Sequence, residues 1–186
     1  MEFEQAVRTR RTTKAFTSQR VDRATLDALF ELARWAPNHR LTNPWRFRVL
    51  GEQALTRLKQ AVAQQARADA PPAADGEVVA AAAVAKLDRA PTLVVCSTVV
   101  SEDVDQARED RSATACAAYV VLLAAHDRGL AGYWRTPAIL NTPAGREAVE
   151  LPANEELIGL LHLGYCNQTQ PVPERAPTTD FVSYLD

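Results

Sequence analysis

Arg10-Arg11-Thr12-Thr13-Lys14 concentrates three cations and two hydroxyls in one short stretch of a chain that is slightly acidic overall. Arginine offers a planar fork of donors matched to phosphate oxygens, and threonine adds a hydroxyl donor. Each charge-assisted hydrogen bond contributes about 1.5–3 kcal/mol, so three could anchor a phosphate. The same residues also suit a solvated basic turn supporting neighbouring acidic helices. A second segment, Ala36 to Trp45, carries polar donors between Pro37 and Pro44, as ligand-holding loops do. A third, Gly129-Leu130-Ala131-Gly132-Tyr133-Trp134-Arg135-Thr136, joins glycines that permit close backbone approach to an aromatic pair and another arginine. A helix stop before an ordinary strand explains those glycines but not Trp134-Arg135.

Other chemistries lack their residues. There is no G-x-G-x-x-G, no Walker loop, no H-E-x-x-H and no nucleophile elbow. His39, His126 and His162 have no ligand spacing to each other or to Cys96, Cys116 and Cys166, so no metal site is expected. His162 reads as a hydrogen-bonded core histidine, and His126, beside Asp127, as a surface residue compensating a helix dipole. The three cysteines read as small buried hydrophobes in a reducing compartment. Lys and Arg total 21 against 23 Asp and Glu. With that balance there is no global positive field to hold a nucleic acid. No apolar run reaches the ~20 residues of a membrane span, and Met1 to Gln5 lacks the features of a secretory signal. The expectation is a cytoplasmic protein, in which the sequon at Asn167 is a chance match.

These segments need elements to position them. Phe3, Ala6 and Val7 predict a short helix ending near Arg10, and Asp22 caps a second whose stripe of Leu26, Leu29, Phe30 and Ala33 runs to about Ala36. Trp45 to Val49 alternates as a strand. Helices are predicted over Gln53–Ala68 and, in an Ala-rich surface layer or lid, Glu77–Asp88. Thr92 to Val100 is continuously apolar, the pattern of a central strand covered on both faces. The longest helix spans Val104 to Arg128, apolar nearly all round from Ala113 to Ala125, and stops at Gly129. A short helix follows Thr142-Pro143, and Leu157 to Tyr165 forms a last strand. With 47% hydrophobic residues and no linker or repeat, residues 1–186 make one α+β domain with a mixed sheet surrounded by helices. Its proline-rich tail, 167–186, ends too apolar to stay in water.

In this order the segments resemble the nitroreductase family of flavoproteins, specifically its short bacterial NAD(P)H-dependent members. The basic R-R-S-x-R/K-x-F signature stands as Arg10 to Phe16, with Thr12 for Ser. The A-P-S/D-x-x-x-x-Q-P-W motif stands as Ala36 to Trp45, with Asn43 for Gln, and Ala90-Pro91 leads into the central strand. Gly129 to Thr136 matches G-L-G-G-x-W-R-S/T, and the tail ending Phe181-Val182-Ser183-Tyr184 is similar to theirs. The resemblance implies a nitroreductase-like fold with a mainly antiparallel sheet and an intertwined homodimer on whose partner the tail docks. It implies FMN as cofactor, with Arg10, Arg11 and Thr12 at the phosphate and ribityl end and Lys14 near the pyrimidine edge. Trp35 and His39 would come from the partner subunit, while Trp134, Arg135 and Thr136 complete the side of Arg10. NADH or NADPH would contact Ala124, Ala125, His126, Asp127, Arg128 and Gly129. The implied activity is ping-pong electron transfer from NAD(P)H through flavin, tuned by Lys14, to a nitroaromatic, quinone or similar small-molecule acceptor. A non-catalytic flavin or phosphometabolite binder is the competing reading, and turnover separates the two.

Overall fold

The computed structural model describes residues 2–168 and 170–185. Its centre is a four-stranded sheet in the order β1 (Trp45–Val49), β2 (Thr92–Val99), β4 (Glu155–Gly164) and β3 (Ala131–Arg135), with all three pairings antiparallel. The only parallel contact among the described residues is an isolated bridge between Thr12 and Gly132. Alternation along β2 explains its uninterrupted apolar run. Val94 and Cys96 enter one core, against Leu26, Leu29, Ala117 and Val121, whereas Leu93 and Val95 enter the other, against Leu58, Leu140 and Leu160. Each face is covered, so no position on the strand can be polar without a partner.

The first core is roofed by α2 (Arg23–Ala33) and α5 (Val104–Asp127), the second by α3 (Glu52–Ala68) and α6 (Pro143–Ala148). The caps sit where the side chains allow them. Asp22 accepts from the Thr25 amide at 2.8 Å, Asp103 accepts from the Asp105 and Gln106 amides at 2.9 and 3.1 Å, and Thr142 accepts from Gly145. α1 (Phe3–Thr9) ends at Arg10, and α5 ends at Gly129, whose φ of 74° is the left-handed stop that favours glycine.

Three expectations need correcting: the extent of the Ala-rich helix, the burial of all three cysteines and the hydrogen bonding of His162. The Ala-rich helix α4 (Gly76–Val84) stops short of Asp88, because the Lys86 and Leu87 amides turn back to the carbonyls of Ala83 and Val84. It packs on α3. One chain buries only one side of α5, leaving Cys116 and Tyr119 exposed. Of the cysteines only Cys96 is a buried hydrophobe, its thiol pushed up to about 12 by burial, while Cys166 is partly exposed. His162 is buried, but neither ring nitrogen has a hydrogen-bond partner; the ring instead stacks on Tyr133 with centroids 4.4 Å apart. Residues 171–185 of the tail are exposed.

Candidate anion and cofactor cavity

The bridge between Thr12 and Gly132 lays the basic turn after α1 along the start of β3. Antiparallel pairing of β3 with β4 sets Ala131 opposite Gly164, so the chain leaving β4 returns to the same place. These three approaches enclose a cavity of about 350 Å³. Thr9, Arg10, Arg11 and Thr13 form one wall, His126 and Gly129 to Gly132 a second, and Cys166, Gln168 and Gln170 a third.

Its electrostatics are unbalanced. Arg11 donates through Nη1 to the Arg10 carbonyl at 2.7 Å, yet the Nε atoms of both Arg10 and Arg11 are buried without a hydrogen-bond partner. A buried guanidinium donor left unpaired costs free energy that an anion in the cavity would recover. Thr13 is buried beside them. His126 Nε2 lies 2.7 Å from Thr9 Oγ1, and burial, followed by the charges of Arg10 and Arg11, holds its ring below the usual histidine value. His126 is thus a cavity wall rather than a surface residue.

The remaining residues singled out in the sequence lie elsewhere in the single chain. Thr12 and Lys14 are exposed and do not line the cavity. Trp134 packs inward: its indole donates to the Ile158 carbonyl at 3.0 Å, and a Cβ on Gly159 would stand 2.0 Å from its Nε1. Only glycine fits under that ring. Arg135 is half-buried and Thr136 exposed at the end of β3. Within 124–129, Ala124 and Ala125 are core residues and Asp127 and Arg128 are exposed, while Gly129 belongs to the cavity wall already described. Trp35 is 77% exposed, with the Arg34 guanidinium 6.0 Å from its ring centroid. His39 is exposed 3.8 Å from Glu109, beside a separate hollow that also includes Arg108, Ser112 and Cys116.

The loop carrying His39 is strained and heavily tied. Arg40, Leu41 and Asn43 adopt φ of 59°, 51° and 48°, conformations unusual for side-chain-bearing residues. Asn38 accepts from the Asn43 amide at 2.7 Å, and the buried Asp110 carboxylate accepts from Thr42 at 2.5 Å and Gln106 at 2.9 Å. Thr13 belongs to the basic cluster singled out in the sequence, whereas Thr9, Cys166, Gln168 and Gln170 do not stand out there as cavity residues. The signal for the last three is the pairing of β4 with β3, which periodicity does not reveal.

The chain matches the nitroreductase family model over residues 7–165 and belongs to that family. Among curated relatives, "Putative NAD(P)H nitroreductase YfhC" of Bacillus subtilis strain 168 is 26% identical over 175 residues, covering 94% of this chain and 89% of YfhC. A nitroreductase-like family protein from Bacillus cereus superposes with a TM-score of 0.84 at 24% identity, covering 100% of this chain and 97% of the other. The FMN- and NADPH-dependent nitroreductase NfnB from Sphigopyxis sp. strain HMH superposes with a TM-score of 0.78 at 19% identity, each chain fully covered.

Proposed function

We propose that the protein is a cytoplasmic FMN-dependent NAD(P)H oxidoreductase acting as a homodimer. The observation that carries this reading is the pair of buried, unpartnered Nε donors of Arg10 and Arg11 in one cavity of a nitroreductase-family chain. Two such donors suit a single terminal phosphate, and no dinucleotide fingerprint accompanies them. When bound, FMN would supply the redox chemistry, relaying electrons from NADH or NADPH to a nitroaromatic, quinone or similar acceptor in a ping-pong cycle. Arg10, Arg11 and Thr13 would hold the phosphate end, and Gly129 to Gly132 would admit the cofactor close to backbone. Lys14, exposed on the same turn, would place positive charge near the ring and favour its electron-rich form. No side chain need act as acid, base or nucleophile.

A second subunit completes the reading. A cavity of 350 Å³ lies near the lower limit for small-molecule sites, so one chain encloses part of FMN and a partner would cover the rest. Trp35, Leu41, Tyr184 and Leu185 are 77%, 78%, 93% and 93% exposed, apolar surface suited to burial between two chains. The partner's copies of the Trp35–His39 segment and of the tail would then close the site.

Mass analysis of the cofactor released from purified protein tests the reading and should give FMN. Arg10→Ala should lose most of it, with affinity falling roughly 10- to 100-fold for one charge-assisted contact. Finding FAD, or no flavin after supplementation, would overturn the assignment. Flavin that neither NADH nor NADPH reduces would favour the non-catalytic binder.

A further inference from the structure

His126 stands in this cavity with one of its protons already placed. Thr9 Oγ1 lies 2.7 Å from the Gln5 carbonyl and 2.7 Å from His126 Nε2. With the Thr9 hydroxyl donating to the Gln5 carbonyl, its oxygen is the acceptor towards His126, which in that arrangement donates through Nε2–H. Nδ1 is then the nitrogen that gains or loses a proton. The charged groups acting on the ring are Arg10 and Arg11 from the turn after α1 and Asp127 on α5, and the Cys166 thiol from beyond β4 lines the same cavity. Burial and the two arginines disfavour the imidazolium, and Asp127 works weakly the other way. A doubly charged anion seated between the arginines reverses that field, because it cancels their charge and adds an attraction of its own.

We propose that His126 is a proton-gated third cation of the cavity: a phosphate monoester held by Arg10 and Arg11 draws one solvent proton onto Nδ1, and is bound more tightly as pH falls. The proposal rests on the cavity being the FMN phosphate site. The neutral ring is compatible with an empty cavity, since three adjacent cations would repel. The counter-ion favours the charged ring, so cofactor and proton bind cooperatively.

Binding of FMN and of riboflavin, which lacks the phosphate, to the flavin-free full chain tests this between about pH 5 and pH 8. Gln at position 126 can still donate to Thr9 but cannot ionise. The ratio of FMN Kd for His126→Gln to that for wild type should be about tenfold at the acid end, for a one-unit rise in pKa on binding. It should fall towards one as pH rises through the bound-state value. FMN's own titration cancels in that ratio, and the riboflavin ratio should stay flat. Calorimetry of wild type in buffers of different ionisation enthalpy should show net proton uptake with FMN beyond that with riboflavin. A pH-independent ratio, an equal slope with riboflavin, or no extra proton uptake overturns the gate. If Arg10→Ala weakens FMN binding while the His126→Gln ratio stays flat, the phosphate site stands and the gate alone fails. If Arg10→Ala binds FMN like wild type, the phosphate site fails and takes the gate with it.

Discussion

Arg10 and Arg11 were legible as anion-binding candidates because charge and fork geometry are properties of residue type. What no residue type discloses is burial without a partner. That depends on the Thr12–Gly132 bridge, which brings together segments far apart in the chain. His162 shows the same limit, since a histidine in an apolar strand reads as satisfied until Tyr133 is seen stacked on it with no acceptor near. Burial, followed by the charges of Arg135 and Arg89, lowers its pKa to about 3. The unfolded chain, titrating near 6.5, then takes up a proton on acidification that the fold refuses. This contribution is nil above pH 7, and stability falls as pH drops from about 6.5 towards 3, by ~2 kcal/mol at pH 5. Urea unfolding of wild type and His162→Phe at pH 7 and pH 5 should show that difference largely abolished in the variant. An unchanged pH dependence would place the acid sensitivity elsewhere.

At the scale of elements, strands and helices were mostly readable because both sheet faces are covered and the caps are explicit: Asp22 and Thr142 start helices where their side chains accept amides. The loop from Asn38 to Asn43 was readable only as a loop. Its three left-handed residues are maintained by acceptors on Asn38 and on the distant Asp110, a relation between α5 and the loop that local sequence does not encode. Such conformations cost of order 1–3 kcal/mol each and need this support. Asp110→Ala should therefore loosen the loop by about 1–3 kcal/mol through loss of a buried acceptor. Trypsin should then cut after Arg40 roughly 5- to 150-fold faster than in wild type, with helix content unchanged by circular dichroism. Equal cleavage rates would show that Asn38 alone holds the loop.

On the scale of the whole molecule, the family and the antiparallel sheet surrounded by helices agree with the sequence reading. One chain does not bring His39 to the cavity of Arg10, and the proposed dimer would. Arg10→Ala and His39→Ala homodimers should each be impaired. Refolding the two together makes hybrids with one intact and one doubly damaged site. With random pairing about half the dimers are hybrids, so about a quarter of all sites should regain NAD(P)H oxidation. A mixture no more active than the mean of its parents, with hybrids confirmed by differential tags, would mean that each site lies within one chain or that His39 is dispensable.

The Thr12–Gly132 bridge also sets the order in which the molecule can come together. The arginines leave the ribosome first, but their opposing wall follows only after α5, and Cys166 and Gln168 only after β4. A nascent chain therefore exposes a hydrated basic arm with no enclosure to retain a phosphate. If the cavity is the cofactor's phosphate site, loading would be one of the last events of biogenesis, after the sheet has closed its long-range pairings, and partial translation products would bind no flavin there.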